Sequence, residues 1–158
     1  MRLTQTAEYA LRAMAYMTNL PDGAAIRARD LAVPTAVPPH YLSKLMRHLV
    51  VAGLIHSQKG HGGGFVLARP REQITLEEVL AAANVSLVAG ECAFGWHQCN
   101  AEHPCPLHPV WSKLQQASIE WARKTTLGDV QGADLSAFET RMGDLAAIPG
   151  MAPRPSRA

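Results

Sequence analysis

Residues 38–70, PPHYLSKLMRHLVVAGLIHSQKGHGGGFVLARP, decide how the chain folds. From Pro39 to Val51 the apolar residues Leu42, Leu45, Met46 and Leu49 recur at i, i+3, i+4 and i+7, the spacing of one buried helix face. His40, Ser43, Lys44 and Arg47 fall on the opposite face, and Gly53 ends the helix. The runs LIHSQ and FVLAR then read as two short strands. They are separated by KGHGGG, whose three consecutive glycines let the backbone turn sharply and come close to another surface.

Upstream, IRARDLA predicts a short helix at about 26–32. The next stretch, VPTAVPPH at 33–40, reads as a turn, because prolines are excluded from helix interiors. A short helix, a turn, a longer helix with a basic outer face and a hairpin together make a winged helix-turn-helix. Its second helix is suited to a DNA major groove and its hairpin to the flanking backbone. Residues 4–19 predict a first helix with Ala7, Ala10, Leu11, Met14 and Met17 or Thr18 on its apolar side, stopped by LPDGA. TLEEVLAAAN at 75–84 is a further helix, opened by a capping box of Thr75 and Glu78. The run PVWSKLQQASIEWARKTTL at 109–127 predicts a long amphipathic helix with Val110, Leu114, Ala117 and Trp121 in a stripe. Lying outside the DNA-binding unit, that stripe is expected to bury against a second copy, as two-fold proteins read two half-sites.

Charge points the same way once it is mapped. Between Leu31 and Arg71 there is no acidic residue, while Lys44, Arg47, Lys59, Arg69 and Arg71 are all present. Those five charges, against a net charge of +2, leave −3 on the remainder, and four of the seven histidines also lie in the segment. A concentrated positive field suits a polyanion. The glycines do not form a Walker-type phosphate loop, since no Gly-Lys-Ser/Thr follows them. No recognisable nucleophile–base motif is present, which argues against an enzyme.

With 158 residues, 47% hydrophobic and 18% charged, the chain has the composition of an ordinary globular protein. No apolar run is long enough to span a membrane. The N-terminus carries Glu8 and Arg12 where a signal peptide needs an apolar core, so a cytoplasmic location is expected. In that reducing compartment, clustered cysteines bind metal or do chemistry more often than they pair. All three cysteines fall in ECAFGWHQCNAEHPCPLH at 91–108, as Cys92-x6-Cys99-x5-Cys105 with His108 three residues beyond. The spacing lacks the paired Cys-x2-Cys knuckles of structural zinc sites. It suits an iron–sulfur cluster held by three soft thiolates, and leaves zinc or a thiol redox switch as alternatives. Phe94 and Trp96 could shield a bound group or pack in the core.

MRLTQTAEYALRAM at the start, KGHGGGFVLARP in the wing, the three cysteines and TTLGDV at 125–130 together resemble one family. These are the Rrf-type winged-helix repressors, which include iron–sulfur regulators of the IscR type and nitric-oxide-sensitive repressors of the NsrR type. The likeness covers roughly residues 1–130. It implies a homodimer on a palindromic operator, with a cluster of the 2Fe–2S or 4Fe–4S type whose state governs DNA binding. By that resemblance Cys92, Cys99 and Cys105 are its ligands. The fourth is His108 in the IscR pattern, or Glu8 from the partner's first helix in the NsrR pattern. The signal sensed would be nitric oxide, redox state or iron–sulfur status.

The expected architecture is therefore mainly α with a small β-hairpin wing. A DNA-binding domain occupies 1–84, a cysteine-rich loop 85–108, a dimerisation helix 109–130 and a C-terminal extension 131–158 with a Pro-rich, aperiodic end. Arg2, Lys44, Arg47, Lys59 and His61 are the expected backbone contacts, and His40, Tyr41 and Ser43 the expected contacts at or near bases. Two further classes of function compete with this reading: a DNA-binding regulator with structural zinc or oxidisable thiols, and a cluster-bearing enzyme or electron carrier.

Overall fold

A computed structural model describes residues 3–60, 62–85, 92–95 and 99–132. Arg2, His61, Trp96, His97 and residues 133–158 of the C-terminal extension lie outside the described residues. Five α-helices and a two-stranded antiparallel hairpin run in the order α1 (Gln5–Thr18), α2 (Ala28–Thr35), α3 (Pro39–Val51), β1 (Ile55–Gln58), β2 (Gly64–Leu67), α4 (Leu76–Ala82) and α5 (His108–Lys124). A single 3-10 turn, Arg71–Gln73, links the hairpin to α4.

The core forms where the predicted apolar faces meet. Ala7, Ala10, Ala13, Met14 and Met17 of α1 pack with Leu42, Leu45, Met46 and Leu49 of α3 and with Val79 and Leu80 of α4. Alanines along α1 let its backbone come close to its neighbours, while α3 supplies the bulk. Thr4 caps α1 through the Ala7 N–H at 3.3 Å. The capping box of α4 is complete: Thr75 Oγ1 accepts from Glu78 N, and the Glu78 carboxylate accepts from Thr75 N at 2.9 Å. Burial acts to raise the Glu78 carboxyl, but the Thr75 N–H and the Arg69 guanidinium outweigh it and hold the pKa below the usual range.

Three boundaries differ from the sequence reading. Pro34 lies inside α2, in its last turn, where a single missing N–H is tolerated and Thr35 Oγ1 donates instead to the Leu31 carbonyl. Ile26, expected in that helix, is extended and pairs with Phe65 through N–H···O contacts of 3.0 and 2.8 Å. The long helix stops at Lys124, so 125–130 is a bridge and turn: Thr126 pairs with Thr75, and Leu127 is completely buried.

Ile26 makes the wing a sheet edge of three segments instead of a free hairpin, and this accounts for the glycines. A Cβ on Gly64 would lie 2.6 Å from the Ile26 carbonyl carbon, and one on Gly63 would lie 2.5 Å from the Gln58 oxygen. Gly62 adopts φ +79° at the turn, in the left-handed region that favours glycine. Each glycine thus answers a different steric demand. Gly64→Ala is expected to destabilise the fold by about 1–3 kcal/mol, the usual cost of overpacking. Urea unfolding measures this, and a midpoint equal to that of the unsubstituted chain would contradict the contact with Ile26.

Candidate functional site

Pro38 stands at the cap position of α3 and Pro39 is its first residue, so the helix begins abruptly. With Leu42, Leu45, Met46 and Leu49 all buried, His40, Ser43, Lys44 and Arg47 must point outward, and each is exposed. Lys59, at the end of β1, is exposed as well. His40, Ser43, Lys44 and Arg47 of α3 and Lys59 after β1 are thus all solvent-facing, while His61 lies outside the described residues. Tyr41 is 39% exposed, its ring edge-on to the buried Tyr9 at 5.4 Å and tilted against His40 at 5.5 Å. It sets the helix entry against α1 and leaves a polar tip available.

The basic segment is less uniform than its charge suggests. Arg71 is largely buried: its guanidinium donates to the Thr18 carbonyl at 2.6 Å and to Asp22, and it also faces Glu72. Arg69 pairs with Glu78 at 2.9 Å and donates to the Gln73 carbonyl. Both arginines join the wing's exit to the domain body, so the outward field rests on Lys44, Arg47 and Lys59.

Sequence reasoning missed two contributors. Arg27, exposed at the start of α2, donates to the Gly63 carbonyl at 3.4 Å and so adds charge beside the wing. Thr4, Thr6 and His48 join His40, Tyr41 and Lys44 around a cleft of about 500 Å³ between the start of α1 and the flank of α3. These residues come from separate helices, so no local pattern could have linked them.

The cysteine loop forms a second centre. Cys92, Cys99 and Cys105 form no disulfide and are partly exposed. Cys99 Sγ lies 3.2 Å from Nδ1 of His108, the first residue of α5. Burial, then the neighbouring Cys92 and Cys105, push the Cys99 thiol above its ordinary pKa. Cys92 and Cys105 thus both act on Cys99, and the predicted histidine touches the same thiol. Three thiols and an imidazole are a soft donor set that fits an iron–sulfur cluster. Among the described residues no group of three or more Cys, His, Asp or Glu is gathered closely enough to enclose a single metal ion. Glu8 lies 3.9 Å from Arg12 of its own helix, and its side chain is 36% exposed. Phe94 is 46% exposed, which removes it from the core.

On α5, Gln115 and Ala122 are the buried residues. The predicted stripe faces away from the core: Val110 is 72%, Leu114 49% and Trp121 48% exposed. Among the described residues no helix is long and apolar enough to cross a membrane.

Residues 3–133 match the family model Rrf2, described as iron-dependent transcriptional regulator. A Mycobacterium tuberculosis protein carrying the name HTH-type transcriptional regulator Rv1287 is 31% identical over 145 residues, covering 91% of this chain and 89% of its own. The HTH-type transcriptional regulator IscR of Cronobacter sakazakii is 29% identical over 130 residues, covering 82% and 80%. In fold, the chain resembles CymR, the global cysteine regulator of B. subtilis, with a TM-score of 0.71 and 22% identity over 82% of this chain and 95% of that one. T. potens IscR gives 0.64 and 22% over 82% and 85%.

The division of the arginines yields a clear contrast. Lys44→Ala, Arg47→Ala and Lys59→Ala are each expected to flatten the slope of log affinity against log salt by about 0.9, the contribution of one neutralised phosphate. Arg71→Ala should leave the slope alone and lower the unfolding midpoint. Fluorescence anisotropy across a salt series and urea unfolding check both expectations.

Proposed function

This chain belongs to the Rrf2 family of transcriptional regulators, and from that premise we propose that it is a cytoplasmic, homodimeric repressor controlled by an iron–sulfur cluster. The observation that carries the cluster is the meeting of Cys99 with His108 while Cys92 and Cys105 act on the same thiol. Cys99 and His108 meet at the first turn of α5, with Cys105 three residues before it. The partial positive charge of a helix N-terminus favours anions there, so it favours thiolates and the anionic group they would bind.

In this reading Cys92, Cys99 and Cys105 hold the cluster as thiolates and His108 completes the set. A cluster supplies a link that nitric oxide, oxidants or iron shortage can break. His108 is favoured as the fourth ligand because it already touches Cys99. The dimer forms through α5, whose exposed Val110, Leu114 and Trp121 make an apolar strip on a helix of seventeen residues. A two-fold dimer presents two copies of α3, one to each half-site of a palindrome, with Lys44, Arg47, Lys59, His61 and Arg2 on phosphates and His40, Ser43 and Tyr41 near the bases.

Protein purified without oxygen is expected to be brown and to contain both iron and acid-labile sulfide. Cys92→Ala, Cys99→Ala or Cys105→Ala should each abolish the colour. His108→Ala should weaken cluster retention more than Glu8→Ala does. Stoichiometric zinc without sulfide would replace this reading with a structural metal, and colourless, metal-free protein with a thiol switch. Loss of the cluster is expected to change operator affinity about 5- to 150-fold at fixed salt while the dimer persists.

A further inference from the structure

We propose that Arg123–Asp129 is the joint through which the cysteine loop acts on the DNA-binding unit, and that Arg123 and Glu77 are its positioning residues. This inference rests on the reading that the loop controls DNA binding. Helices α4 and α5 are joined at both ends. At one end the cysteine loop runs from the close of α4 to His108. At the other, Leu76 N donates to the Thr125 carbonyl at 2.9 Å and Leu127 N donates to the Ile74 carbonyl at 2.8 Å. Ile74 and Leu127 are both completely buried, so this short antiparallel seam is sealed from water.

The seam is reinforced from three sides. Arg123 Nε makes a two-oxygen contact with the Glu77 carboxylate at 3.0 and 3.1 Å, bridging α5 to α4. Asp129 accepts from Thr126 N at 2.7 Å and from Thr126 Oγ1 at 2.8 Å, which closes the turn after Leu127 and holds the Asp129 carboxyl below its usual pKa. Gly128 N donates to the Arg71 carbonyl at 3.2 Å. Arg71 in turn holds the end of α1 through the Thr18 carbonyl and Asp22.

The two ends of α5 are therefore unlike. Its last turn and the residues after it are bonded to the base of the winged unit. Its first half carries the exposed Val110 and Leu114 and ends at His108, beside Cys99. Seventeen helical residues make a rod of about 25 Å. A shift of the His108 end that is carried along α5 reaches the winged unit by turning this rod about the seam, since the far end is fixed. The seam touches Ile74 and Arg71, a few residues beyond β2 of the wing and immediately before α4. The joint thus adjoins the wing's exit while using no residue of the DNA face and no proposed ligand.

The Arg123–Glu77 pair is exposed enough that its contribution to stability is small, which makes it a clean probe of position. The experiment compares full-length wild type, Glu77→Arg, Arg123→Glu, the double exchange and Asp129→Ala. For each, the visible spectrum, the unfolding midpoint and the operator affinity are measured with the cluster loaded and removed. The single reversals and Asp129→Ala are expected to keep the spectrum, and to keep the cluster-free affinity within about two-fold. They should cut the loaded-to-free affinity ratio at least three-fold, and the double exchange should restore it. An unchanged ratio in the single variants, or one the double exchange leaves lost, overturns the joint alone. A wild-type ratio of one overturns the sensing function and the joint with it.

Discussion

Burial of one side of α3 is the constraint on which the remaining architecture depends. Leu42, Leu45, Met46 and Leu49 each lose nearly all contact with water, and each such burial contributes about 1.5–3 kcal/mol. Because a helix turns about 100° per residue, fixing those four fixes every other residue of α3. His40, Ser43, Lys44 and Arg47 are outward for no reason of their own; the core has taken the opposite side. The outward face of α3, the proposed DNA-reading surface, is oriented by this apolar burial, and its orientation is as firm as the core is.

The wing obeys a different constraint. Its two strands are too short to be stable alone, and they are held by the Ile26 bridge and the Arg69 and Arg71 contacts. That arrangement explains why the acid-free segment is bordered on both sides by acids. Asp22, Glu72 and Glu78 take up the two arginines that anchor the hairpin, while among the described residues no carboxylate pairs with Lys44, Arg47 or Lys59. The basic segment thus divides into cations that hold the wing and cations that face outward, a division made by tertiary contacts up to 53 residues apart in sequence.

What was legible in the sequence follows from this. Periodicity located α1, α3 and α4 to within a residue or two, because their faces are set by local spacing and local caps such as Thr4 and Thr75. The seam between Ile74 and Leu127, the Ile26 bridge and the roles of Arg69 and Arg71 depend on partners far along the chain, and no window of residues contains them. Pro34 was misplaced because the rule that excludes proline from helices applies to interiors, and α2 is too short to have much of one. The cysteine stretch was legible as a candidate ligand set from residue type and number. Which histidine meets which cysteine required the turn that carries the chain into α5.

That turn bears on why the loop is suited to control. Among the described residues it makes short-range hydrogen bonds from Gly95 N to the Cys92 carbonyl, Glu102 N to Asn100 Oδ1 and His108 N to the Cys105 carbonyl, beside the longer-range Cys99–His108 contact. α5 begins without a side-chain cap, Leu107 standing at the position where Ser, Thr or Asp would serve. Local turns of this kind constrain few dihedral angles beyond their own. The opposite end of the α4–α5 pair is determined strongly, by a buried two-bond seam and an ion pair. In the proposed function a bound cluster would supply at the loop what the seam supplies at the far end. A helix pair fastened at one end and conditionally fastened at the other has two arrangements whose difference is concentrated in the loop. The DNA-binding core can then stay intact in both, since the burial that orients α3 lies on the side of the molecule that need not move.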